Sequence, residues 1–182
     1  MSTGFRILST VTVVALLLPA ALSAQEQARP TYELPSITVM APSDTDPLYE
    51  SAAAMYQAGE WEAAAQLYRD AAEGMPQNDP NSYLTFDQSA RLYFYAGEFG
   101  NARKMMEQAA EVAEATGDMV SAAYRHVDAA FIAVWEGYPG KRREHVMTAE
   151  KYAVEYEFEA ADAEKIGALT RGVAALPVEE RN

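Results

Sequence analysis

The chain has 182 residues, with 27 Asp and Glu against 14 Lys and Arg, a formal net charge of −13. Hydrophobic residues make up 49%, enough for the core of one ordinary domain, so wholesale disorder is excluded. With no cysteine and two histidines, disulfides, thiolate-ligated metals, thiol catalysis and three-imidazole sites are excluded as well, and so acidic a chain repels the phosphates of nucleic acid.

Residues 1–24 (MSTGFRILSTVTVVALLLPAALSA) place one cation, Arg6, ahead of the apolar run Val11–Leu18, then Pro19 and small residues. This is the layout of a secretory signal peptide cleaved after Ser23 or Ala24. An uncleaved anchor is the alternative, but the run falls short of the roughly 20 residues a bilayer-spanning helix needs. After cleavage no membrane span is expected, and the location is periplasmic or secreted. Residues 25–46 carry Pro30, Pro35 and Pro42, each without a backbone donor and each biasing its predecessor away from helix. A flexible linker is expected there. Inside it the β-prone run Ser36–Ala41 (SITVMA) resembles the TonB box of outer-membrane transporters, in which an extended segment adds a strand to a partner. A plain spacer is the other reading.

From Pro47 onward the pattern predicts helices near 47–58, 61–73, 81–96, 99–115, 118–136, 140–157 and 159–175. Gly59, Gly97, Gly117-Asp118 and Gly137 punctuate them, as do Pro76, Asn78, Asp79 and Pro80. Two stretches repeat. Residues 59–76, GEWEAAAQLYRDAAEGMP, place Gly59, Trp61, Ala64, Tyr68, Ala71 and Pro76 at helical spacing. Residues 97–114, GEFGNARKMMEQAAEVAE, place Gly97, Phe99, Ala102, Met106 and Ala109 at the same offsets. Ser51-Ala52 and Ser89-Ala90 precede the two glycines at one offset. A weaker third copy has Ala129-Ala130, Gly137, Val146 and Ala149. Ala52, Ala64 and Ala71 allow helices to approach closely, Trp61 and Tyr68 fill adjoining gaps, and Gly59 supplies a left-handed turn. One such pair cannot bury its apolar face, whereas stacked pairs can. The last span puts Ile166, Leu169, Val173 and Leu176 on one stripe, with Asp162, Glu164 and Lys165 beside it, as a capping helix does.

Over about residues 45–155 this pattern resembles the tetratricopeptide repeat family. The second copy has Glu114 in place of the closing proline; the third has Arg142 and Pro139 where a small residue and an aromatic belong. The resemblance implies an all-α domain over residues 47–182, with antiparallel helix pairs stacked as a short right-handed solenoid of about three repeats plus the C-terminal cap. Family members line an inner groove with one face of the first helix of each pair. Carried over, that face is Tyr49, Tyr56 and Gln57, then Asp87, Arg91, Phe94 and Tyr95, then Tyr124, Val127, Phe131 and Trp135. An aromatic groove with one basic handle, Arg91, suits an extended peptide or an amphipathic helix of a protein partner. In the alternative reading the same rings pack inside the domain.

Lys141-Arg142-Arg143 is the one dense cation cluster. At a helix start it forms either an anion site or salt bridges to acids such as Glu136 and Glu144. His126 and His145 lie on successive helices and can meet; without further ligands or an H-x-x-x-H spacing they read as packing residues, and no metal or cofactor is expected. No nucleophile or phosphate-binding motif appears. The expected function is therefore a non-enzymatic protein-binding module. A structural, self-associating subunit is the alternative, and a small-ligand carrier or enzyme a remote one.

Overall fold

The computed structural model describes residues 47–76 and 78–177, with side chains from residue 50 onward. The expected signal peptide, the linker and the TonB-box-like run lie outside the described residues. Within them the chain is all-helical. It runs α1 (Pro47–Gln57), α2 (Trp61–Glu73), α3 (Pro80–Tyr95), α4 (Phe99–Thr116), α5 (Met119–Glu136), α6 (Pro139–Glu155) and α7 (Ala160–Ala175). All seven predicted helices form, with ends within two residues of the expected ones, and three of the differences have local reasons. Pro80 and Pro139 are first residues of their helices rather than breakers before them, because a fixed φ and a missing donor cost nothing at that position. The α6 helix stops at Glu155 because Glu157 takes a positive φ of 47°, which a helix cannot contain.

The turns explain the repeat. Gly59, Gly97, Gly117 and Gly137 all sit at φ between 76° and 80°, the left-handed region that glycine enters without a Cβ clash. At each, the next amide reaches back five residues: Glu60 to Met55, Glu98 to Tyr93, Asp118 to Ala113 and Tyr138 to Ala133, all at 2.9 Å. This closes the preceding helix by satisfying its orphan carbonyls and turns the chain straight into the next one. Starts are fixed by Asp79, which accepts from the Asn81 amide at 2.9 Å, and Asp118, which accepts from Ser121 at 3.0 Å.

Each helix packs on its neighbours in sequence, and α7 also returns to α5. Two cores result. The first joins α1 to α5 through Ala52, Ala64, Ala90, Ala102 and Ala109, with Tyr68, Leu92, Tyr93, Met106 and Ile132 filling between them. The second joins α5, α6 and α7 through Val127, Ala130, Phe131, Ala149, Ile166 and Val173. Small residues let backbones approach; Ser89 uses that approach to donate to the Ala65 carbonyl of α2 at 2.8 Å. Two expectations are corrected. Ala71 is half-buried and Ala72 takes the close contact, while Trp61 stands at the surface, 39% exposed, instead of filling the core beside Tyr68. No helix among the described residues is long and apolar enough to cross a membrane.

Candidate functional site

The Gly-Glu-aromatic turns bring rings together at one end of the helices. Tyr95 closes α3, Phe99 opens α4, Trp135 lies at the end of α5 and Trp61 opens α2, so an antiparallel array sets them on one edge. The contacts are continuous. Trp61 meets Tyr95 at 6.1 Å between centroids, Tyr95 meets Phe94 at 6.1 Å, and Phe94 meets Phe99, Phe131 and Trp135 at 5.3, 5.8 and 5.9 Å. Most are edge-to-face, the arrangement that ring quadrupoles favour. The inner members Phe94, Phe99 and Phe131 tie the edge to the cores. The outer members Trp61, Tyr95 and Trp135 stay exposed, as does Tyr138, which lies under the Arg103 guanidinium at 5.8 Å. A shallow hollow of about 560 Å³ opens between Trp61 and Tyr95, and Glu60 and Glu62 also line it. Glu98 is exposed at the next turn.

The sequence-implied groove residues do not stay together. Phe94, Tyr95, Phe131 and Trp135 join this edge. Asp87 and Arg91 do not: Arg91 is 5% exposed, and the expected basic handle is an internal ion. Its Nε donates to Asp87 Oδ2 at 2.8 Å and its Nη2 lies 4.0 Å from Asp128. Arg125 bonds Asp87 and reaches Asp128 at 3.3 Å. Two guanidiniums and two carboxylates thus close a neutral quartet between α3 and α5, the state in which buried charge is tolerated. Tyr124 faces α7, donating to Asp162 at 3.1 Å with Lys165 over its ring at 5.0 Å; burial, then that hydrogen bond, raise its hydroxyl pKa. Val127 is in the second core, Tyr56 packs half-buried on the first, and Gln57 is exposed. The Tyr49 side chain lies outside the described residues.

The three cations of α6 point to three places. Lys141 pairs with Glu144 at 3.0 Å and Glu107 at 3.7 Å. Arg142 donates to the Leu176 carbonyl at 2.7 Å, tying the end of α7 to the start of α6, and Arg143 is exposed. Glu136 is held by Arg103 through two hydrogen bonds, of 2.6 and 3.2 Å.

Beside Arg103 a polar seam crosses α4, α5 and α6. The expected meeting of His126 and His145 occurs, with their Nδ1 atoms 3.1 Å apart. The outer nitrogen of each ring reaches a carboxylate of α4: His145 Nε2 to Glu107 at 3.0 Å and His126 Nε2 to Glu114 at 3.1 Å. Glu107 also accepts from Arg103 at 2.8 Å, and Glu114 from the Tyr152 hydroxyl at 2.8 Å. Burial alone would raise the Glu107 carboxyl, but the His145 hydrogen bond and the Arg103 charge outweigh it and hold it at about 2. Burial and the bond to Glu114 push the Tyr152 hydroxyl to about 12. Burial lowers the His126 pKa. These groups are strung in a line rather than converging on a point, and no group of three or more ionisable side chains among the described residues is placed to hold a metal.

No family model, no curated protein and no solved structure matches the chain. Its site is therefore read from its own geometry. Trp61, Phe99 and Tyr138 were not among the sequence-implied groove residues, although each lies within two residues of a turn glycine, a signal visible in the sequence. Glu107 and Glu114, spaced two helical turns apart on α4, gave a similar signal for the seam.

Proposed function

We propose that this chain is an exported protein-interaction module, a short stack of tetratricopeptide-like helix pairs that holds an apolar, cation-bearing segment of another protein along its aromatic edge. One observation carries the reading: an unbroken run of touching rings from Trp61 to Trp135, anchored in both cores and exposed at Trp61, Tyr95 and Trp135. Rigid rings give contact area at little entropic cost. The exposed Glu60, Glu62 and Glu98 select against acidic segments, and Lys or Arg side chains satisfy both those carboxylates and the ring faces. The same carboxylates weigh against self-association through this edge, since two copies meeting there bring like charges together.

The test uses the chain's two tryptophans, both of which stand on the edge. Titration with an amphipathic Lys/Leu peptide is expected to shift their emission to the blue, saturably, and to shield them from acrylamide. A Glu/Leu peptide of the same length is expected to do neither. Tyr95→Ala with Tyr138→Ala, which keeps both reporters, is expected to weaken binding at least tenfold, about 1.4 kcal/mol. Equal responses to both peptides, or none to either, contradict the reading.

A further inference from the structure

Three contacts of the seam lie in series: Glu107 to His145 Nε2 at 3.0 Å, His145 Nδ1 to His126 Nδ1 at 3.1 Å, and His126 Nε2 to Glu114 at 3.1 Å. Each is a hydrogen bond only while it holds one proton, because carboxylates are acceptors and two ring lone pairs repel. Two neutral imidazoles bring two protons between them, one too few. We propose that His126 and His145 form a proton-binding site, in which one extra proton shared by the two rings clamps α6 to α4 across α5.

The surroundings agree with a single added charge. From α4 the groups facing the rings are Arg103, Glu107 and Glu114; from α5, Glu136 beside Arg103; from α6, Lys141, with Glu144 outside it, and Tyr152. Among the described contacts α7 sends no charged side chain to either ring. Arg103, Lys141 and one imidazolium balance Glu107, Glu114 and Glu136. A second added proton sets two N–H groups face to face and doubles the charge in a site where burial already resists a charged His126. Loss of the shared proton leaves two lone pairs facing each other, or one facing a carboxylate.

The sign of the pH response follows. In an open or unfolded state each imidazole titrates near about 6.5. Below about pH 5.5 the open state holds two added protons and the clamp one, so opening takes up a proton and its equilibrium constant rises tenfold for each unit that pH falls. Above about pH 7.5 the open state holds none and opening releases a proton, so the constant rises tenfold for each unit that pH rises, until the clamp itself deprotonates. The clamp is tightest near pH 6.5. Its release uncovers the face of α5 that carries Val127, Ala130 and Phe131, and Phe131 touches Phe94 and Trp135 on the aromatic edge.

The chain has two histidines, so an imidazole nitrogen NMR titration of the full chain reports this pair and nothing else. The pair is expected to titrate in two steps that both rings report together, separated by more than about one unit, rather than in one step per ring. Amide exchange in α6 and α7, corrected for intrinsic rates, is expected to speed about tenfold between pH 5.5 and 4.5 relative to α2 and α3. In His126→Gln, whose side-chain oxygen accepts from a protonated His145 while its amide donates to Glu114, the closed and open states each hold one added ring proton below about pH 5.5, so that acceleration is expected to fall to about twofold or less, the share left to Glu107. Two rings titrating independently near 6.5, or acceleration that stays about tenfold in His126→Gln, overturns the proposal. Should the variant fail to fold, the native-chain titration decides alone.

Discussion

Arg91→Glu is expected to bring the chain to the verge of unfolding. In place of a neutral quartet it leaves three carboxylates, the introduced one with Asp87 and Asp128, facing Arg125 alone, in a site where Arg91 is 5% exposed. Removing one partner of a buried pair costs about 3–5 kcal/mol, since the surviving charge is neither solvated nor compensated, and here a like charge is added. Against a total stability of roughly 5–15 kcal/mol, the urea midpoint should fall by about a fifth at the least and by most of its value at the low end of that range. Arg91→Met, which deletes the charge and keeps much of the volume, should cost less, because Arg125 still faces both aspartates. A loss under about 1 kcal/mol for Arg91→Glu would place the side chain in solvent, where the family resemblance had put it.

The second large effect separates two aromatics of one motif. Tyr68 is 1% exposed and sits among the alanines of α1 to α4, so Tyr68→Ala opens a cavity that neighbouring helices cannot collapse to fill. About 3–5 kcal/mol is expected by analogy with buried phenylalanine truncations. Trp61→Ala, seven residues earlier, should cost less than half of that, because the ring lies at the surface and its main contact is Tyr95. Chemical denaturation of the pair side by side checks the ranking. Equal losses would mean that Trp61 belongs to the core and is unavailable to a partner.

Features set by neighbouring residues were legible in the sequence. The left-handed turn at Gly59 and the close approaches at Ala52 and Ala64 each act over one or two helical turns and fell where expected; Ala71 did not, since Ala72 takes that contact, and Asp79 and Asp118, read only as helix breaks, are N-caps. Features set by charge pairing across helices were not. Asp87 and Arg91 stand one turn apart, so their mutual bond was readable; that Arg125 and Asp128 of α5 would close over them depends on how α3 meets α5. The Lys141-Arg142-Arg143 cluster dispersed for the same reason, since Glu107 and the Leu176 carbonyl come from elements distant in sequence. The aromatic edge falls between these cases. Its rings flank the turn glycines, which is local, but which rings are exposed follows from the stacking of helix ends. The histidine meeting was foreseen from successive helices, while the two carboxylates that make it a proton site come from a third.

The edge itself is tested most directly by site-specific photo-crosslinking in the cells that make the protein. A benzophenone side chain would replace Tyr95 or Tyr138 on the edge, and, in a control, Val154. Val154 is 79% exposed and lies near the far end of α6, about 24 Å along the helix from Tyr138 at about 1.5 Å per residue. Discrete adducts to another protein from positions 95 and 138, and none from 154, are the predicted result. Adducts from position 154 alone, or adducts only between copies of the chain, would contradict an interaction edge for a separate partner.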